Sequence, residues 1–240
     1  MLFRSRFALS CSPAMLAECR ALLRAHPGLR LQTHINENHE EIRATADQFP
    51  RAANYLDVYD GAGLLTERSV LAHNIHADDD ELRRLAASGA AVCHCPASNA
   101  YLGSGLFPLR RHWALGIPVL IGTDVGAGTN FSLLSELAEV FKIQQLQRFR
   151  LDAARLLYLG TLAGAEALHL ERVTGNLAVG KQADFLVVDP SVDDYLPERL
   201  ALIDDPAERL FALLLLGGPA LITHTHVAGR RVFHRPCRVD

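Results

Sequence analysis

Lysine is almost missing from this 240-residue chain: Lys142 and Lys181 stand alone, and arginine supplies the rest of the 24 basic residues. An arginine bias of this kind fits a GC-rich bacterial genome. Against 27 acidic residues the net charge is −3, so there is no excess of positive charge to neutralise phosphates. Nucleic acid and anionic membrane surfaces are therefore not expected partners. Long apolar runs are also missing. Leu210 to Leu216 is stopped by Gly217-Gly218-Pro219 and is too short to span a bilayer. Tryptophan occurs once and methionine twice, and the aromatic residues form no cofactor box. No signal peptide is evident. The five cysteines, Cys11, Cys19, Cys93, Cys95 and Cys237, are an odd number without a disulfide spacing. Together these point to a reducing, cytoplasmic setting. What remains is ordinary globular material, 49% hydrophobic, enough for a sizeable core.

Strand and helix patterns alternate from the start. Arg6 to Ser10 reads as a short strand. Ser12 with Pro13 opens a helix that runs to about His26, before Pro27-Gly28. Leu29 to His34 is a second strand, followed by a helix over Glu37 to Phe49. Ser69 to His73 is a third. The acidic run at Asp78 suits a helix N-terminus, and that helix ends at Gly89. Ala90 to Cys95 is a fourth strand, Leu106 to Leu115 a helix, and Ile117 to Ile121 a fifth strand. Helices dominate from Ser132 to Leu168. Beyond about residue 171 the texture changes: Gly175 to Leu177, Gly180 to Gln182 and Phe185 to Val188 read as short β segments. A helix over Pro206 to Leu216 and strands over Ala220 to Val227 and Arg231 to His234 follow. The βαβα rhythm predicts an α/β fold with a parallel sheet, over 1–171, and a small β region over 172–240. Five strands are too few to close an eight-stranded barrel.

Three of these strands end on metal-ligating or acid–base residues. The second ends on His34, the third on His73, and the fifth runs through Gly122-Thr123-Asp124-Val125 into a glycine-rich loop. In (β/α) barrels the C-terminal strand ends form the reaction face. Taken singly, His34 and His73 are as readily ordinary loop histidines. Asp124 is stronger, because a carboxylate after an apolar strand is costly to bury without a cation or donors. His, His and Asp at the same end of neighbouring strands suggest a metal-assisted hydrolase. Glu37, three residues after His34, can reach the same space as a proton carrier.

Other clusters read differently. Alternate residues of a strand face opposite ways, so Cys93-His94-Cys95-Pro96 is expected to be a core strand rather than a metal motif. Its continuation, Pro96 to Asn99, is expected to shape the site as a loop. His224 and His226 lie in the late β region and are expected to be structural, with His76 a peripheral neighbour of a helix start. A cytidine-type deaminase needs His-x-Glu and Pro-Cys-x-x-Cys, and neither is present.

Several segments together carry a family likeness: Arg6-Phe7-Ala8-Leu9-Ser10-Cys11-Ser12, Gln32 to Asn38, Leu71-Ala72-His73, His94 to Asn99, and Gly122 to Val125. With Asn54 to Asp60 and Gly175 to Asp189, they resemble the amidohydrolase superfamily, and within it the guanine deaminase family, over essentially the whole chain. That resemblance implies a partial TIM-type (β/α)₈ barrel, strands four to eight, beside the C-terminal part of a small composite β-sandwich. It implies His34 and Asp124 as metal ligands, with zinc the expected metal and ferrous iron the other candidate. It implies Glu37, His73 and Asp124 as catalytic groups, with His73 and Asp124 orienting and helping to deprotonate water. Arg6 and Phe7, with His34 and Glu37, are then expected to hold a purine, and a homodimer is the expected assembly of the complete protein.

The family carries a His-x-His pair on its first barrel strand, and residues 1–33 offer no match. The chain is thus expected to correspond to the C-terminal half and to be inactive alone. Two other readings stay open at this point: another amidohydrolase acting on heterocyclic amines or halides, and a catalytically silent scaffold or association module.

Overall fold

The structure, a computed structural model, describes residues 1–235, so Cys237 lies outside the described residues. It divides into two compact units, Met1–Thr129 and Asn130 onward.

The first unit alternates strand and helix. Its strands are β1 (Leu2–Phe7), β2 (Arg30–Ile35), β3 (Ser69–His73), β4 (Ala91–His94) and β5 (Val119–Ile121). Between them run α1 (Pro13–Ala25), α2 (His39–Gln48), α3 (Tyr55–Gly61), α4 (Asp79–Ser88), α5 (Pro96–Tyr101) and α6 (Leu109–Ala114). All four strand pairings are parallel, in the order β1-β2-β3-β4-β5. Spatial order follows chain order without reversal. That is the winding of a barrel wall, whereas a doubly wound sheet reverses at a switch point. β3 is buried at all five positions, as a parallel strand covered on both faces must be.

Local chemistry sets the helix starts. The Ser12 hydroxyl accepts from the Met15 N–H, with Pro13 at the first helical position of α1. Asn38 caps α2, Asn54 caps α3, and Asp78 and Glu81 form a reciprocal capping box on α4. The first strand departs from its expected range of 6–10. Pairing begins at Leu2 opposite Arg30 and ends at Phe7 opposite His34. Ala8–Ser10 then tightens into a 3₁₀ turn leading to the Ser12 cap. α3 and α5 were not expected as helices. With seven and six residues, they are too short for a hydrophobic period to declare itself.

The second unit has α7 (Leu133–Leu146), α8 (Ala153–Leu159), α9 (Leu162–Ala167), α10 (Leu196–Ala201) and α11 (Pro206–Leu216). Its antiparallel sheet, in the order β6-β7-β8, joins β6 (Phe185–Val188), β7 (Ile222–Val227) and β8 (Arg230–His234). Residues 175–177 and 180–182, expected as β segments, are turns instead; Gly175 and Gly180 sit at φ 95° and 93°, a conformation that favours glycine. Leu196, Leu200, Ile203, Ala212 and Leu221 form a buried cluster under this sheet, with Val188 and Val192 against it.

Candidate active site

Register places the strand ends on one rim. Phe7 pairs with His34, Ile35 with His73, and His94 with Ile121. The backbone along this rim is unusual. Among the described residues eight non-glycine positions have positive φ, and five of them are here: Arg6 (68°), Asn36 (49°), His73 (71°), Asn74 (48°) and Asp124 (47°). Such conformations cost about 1–3 kcal/mol each and persist where surrounding structure enforces them, characteristically at functional sites.

The enforcing contacts are specific. The Thr33 hydroxyl donates to the Arg6 carbonyl at 2.9 Å, and the fully buried Tyr59 hydroxyl donates to the His34 carbonyl at 2.7 Å. Thr33 and Tyr59 themselves meet at 2.9 Å. One buried chain of hydroxyls thus ties the ends of β1 and β2 together. Past β5, Gly128 and Ala127 donate backbone N–H groups to the Asp124 carbonyl. A Cβ on Gly128 would stand 1.7 Å from the Thr123 oxygen, so this turn tolerates only glycine.

The side chains expected to form the site converge. His34, His73 and Asp124 each offer a ligand atom within 4.8 Å of the others. The ring of His73 is fully buried, meets His34 edge-on at 5.0 Å, and has Nε2 3.6 Å from Glu37 and 3.9 Å from Asp124. Burial, reinforced by the neighbouring His34, pushes its pKa down to about 4, so the ring is neutral at pH 7. Asn99 Nδ2 lies 2.8 Å from His73 Nδ1. Burial also lowers His34, whose Nε2 lies 3.3 Å from Arg4. A guanidinium only donates, so that nitrogen presents its lone pair.

Glu37 receives a hydrogen bond from Ser104 at 3.1 Å, and burial raises its carboxyl above the ordinary range. Its backbone N–H donates to Glu41 at 3.0 Å, and Tyr55 holds the other Glu41 oxygen at 2.6 Å. Asp124 Oδ2 accepts from Ser98 at 2.8 Å. Phe7 stacks on His34 with centroids 6.0 Å apart, and the Arg6 guanidinium lies 5.7 Å over the Phe7 ring.

The His34 imidazole, its Nε2 presenting a lone pair, and the Asp124 carboxylate are donors suited to zinc or a related first-row cation, with His73 beside them. The residues present therefore fit a metal. His224 and His226 lie on β7 in the other unit, outside this group. His94 is fully buried on β4 against Phe107, in keeping with a core strand. Sequence reasoning missed Ser104, Thr33 and Tyr59. Only the glycines flanking Ser104 marked it as exceptional. It also read Pro96 to Asn99 as a loop, whereas α5 brings Ser98 to Asp124 and Asn99 to His73.

Residues 3–232 match the amidohydrolase family model. A probable guanine deaminase of Deinococcus radiodurans is 47% identical over 233 residues, covering 96% of this chain and 53% of that protein. The solved structure of the E. coli guanine deaminase superposes with a TM-score of 0.95 at 38% identity, covering 98% of this chain and 56% of that one. A guanine deaminase from C. acetobutylicum, solved with guanine bound in its active site, gives 0.86 at 29% identity, covering 95% and 54%. The chain spans about half the length of the curated relatives it matches.

Proposed function

The chain belongs to the amidohydrolase family, and from that premise we propose that it supplies the reaction rim of a guanine deaminase, hydrolysing guanine to xanthine and ammonia. The observation that carries this reading is the convergence of His34, His73 and Asp124 within 4.8 Å, with Glu37 on the same imidazole. Within the proposal the five parallel strands are barrel strands four to eight. Residues 1–171 form the barrel portion, and 172–240 the C-terminal part of a composite β-sandwich.

His34 and Asp124 would hold the metal, zinc or ferrous iron, which when bound supplies water acidic enough to ionise near neutral pH. The remaining work falls to side chains. Asp124, fixed by Ser98, accepts a proton from the attacking water. Glu37, with its raised pKa, is suited to carry a proton to the purine ring nitrogen and on to the departing ammonia. His73 orients the oxygen that attacks the amino-bearing carbon. Arg6 donates to the purine carbonyl, an acceptor that adenine lacks, and Phe7 offers a flat surface to the base. The family implication of a homodimer belongs to the same proposal. A cytoplasmic setting is supported by the free thiols of Cys11, Cys19, Cys93 and Cys95.

The test is a substrate panel. Residues 1–240, joined to the N-terminal half of a bacterial guanine deaminase and loaded with zinc, are offered guanine, adenine and chloro- and amino-triazines. Xanthine and ammonia in equal amounts from guanine, with the others at least a hundredfold poorer, is the expected result. Preference for a triazine would replace this reading with that of a different amidohydrolase.

A further inference from the structure

We propose that Asn99 is a positioning residue that fixes His73 as a hydrogen-bond donor at Nε2, leaving proton removal from water to the carboxylates. The inference deepens the deaminase reading and rests on it for its catalytic meaning, but its structural content stands on the contacts alone.

His73 Nε2 faces two carboxylates, Glu37 at 3.6 Å and Asp124 at 3.9 Å. An ionised carboxylate only accepts. A bare Nε2 would set a lone pair against two acceptors inside the protein, so the proton of the neutral ring belongs on Nε2. Nδ1 then carries the lone pair and needs a donor. That donor is the Asn99 amide, whose Nδ2 lies 2.8 Å away. The opposite amide orientation would put Oδ1 there, demand a proton on Nδ1, and strip Nε2. The two ends of the ring thus select the same tautomer.

The arrangement is held firmly. Asn99 is fully buried on α5, one residue after Ser98, which grips Asp124 at 2.8 Å. One helical turn therefore sets both the proton position on His73 and the orientation of the carboxylate beside it. The second nitrogen of an imidazole decides what the first can do. With Nε2–H fixed, His73 donates to the attacking oxygen and cannot serve there as base. This revises the expectation that His73 helps to deprotonate water; Asp124 and Glu37 are the groups left to do so.

The experiment is a long-range ¹H–¹⁵N correlation spectrum of the 240-residue chain, labelled at histidine, at neutral pH. His73 is assigned by the signals lost in His73→Gln. The expected pattern is a protonated Nε2 and an unprotonated Nδ1. In Asn99→Asp, where the side chain only accepts, Nδ1 should gain a proton while the circular dichroism spectrum is kept. A wild-type ring protonated at Nδ1 alone would overturn the proposal, and so would an Asn99→Asp ring unchanged from wild type. If Asn99→Asp does not fold, the wild-type spectrum alone decides. No turnover enters this test. Failure of the guanine reading would leave the tautomer intact, and a wrong tautomer would leave the substrate panel unaffected.

Discussion

Ser98 Oγ donates to Asp124 Oδ2 at 2.8 Å, so a residue of α5 holds the carboxylate that follows β5. Partners of this kind orient metal-binding carboxylates, and removing one typically costs about 10- to 100-fold in metal affinity or activity. Ser98→Ala should weaken zinc retention by that order, measured by competition with a chromophoric chelator, while the circular dichroism spectrum stays unchanged. Affinity equal to wild type would show that Asp124 needs no help from Ser98.

Arg6 is assigned to the base and not to the metal. Arg6→Ala, in the protein completed by a guanine deaminase N-terminal half, should lower kcat/KM for guanine by roughly a hundredfold or more. Zinc content, by elemental analysis, should be unchanged. Loss of metal from the variant would contradict the assignment.

His94 gives the fold an acid sensitivity. Burial, reinforced by the neighbouring His112 and His73, pushes its pKa down to about 3 from the ordinary 6.5. The unfolded chain therefore binds a proton that the folded chain refuses between those values. The stability tied to a neutral His94 is present in full above about pH 6.5 and is lost as pH falls towards 3, at roughly 1.4 kcal/mol per pH unit within the window. His112, lowered to about 4 chiefly by burial, acts in the same direction. Urea unfolding at pH 7 and pH 4.5 should show the loss, and His94→Leu should shrink it. An equal loss in the variant would place the sensitivity elsewhere.

The sequence made the strand ends legible because each ends an apolar run on a chemically conspicuous residue: His34, His73 and Asp124. Parallel pairing puts all three on one rim; that they meet within 4.8 Å although β4 separates β3 from β5 is a property of the folded sheet that no strand pattern states. The supporting residues were hidden for a physical reason. Tyr59 sits on a seven-residue helix 25 positions from the carbonyl it holds, and Ser104 lies 67 positions from Glu37. No local period or spacing encodes contacts of that range. The short β segments expected around residues 175–182 failed on a related point: isolated apolar residues between glycines fit a turn as well as a strand, and the positive φ of Gly175 and Gly180 decided for turns.

The central claim is that guanine is deaminated on the rim that carries His34 and Asp124. Its most direct test is xanthine formation by the completed protein, set against the same protein carrying Asp124→Ala and against residues 1–240 alone. The account predicts turnover in the first. It predicts a loss of at least about a thousandfold in Asp124→Ala, from a ligand and a proton acceptor removed together. It also predicts turnover below roughly a hundredth of the completed protein's by residues 1–240, whose two assigned ligands fall short of the usual three. Xanthine formation that survives Asp124→Ala, with the protein folded and zinc bound, would place the chemistry elsewhere and contradict the account.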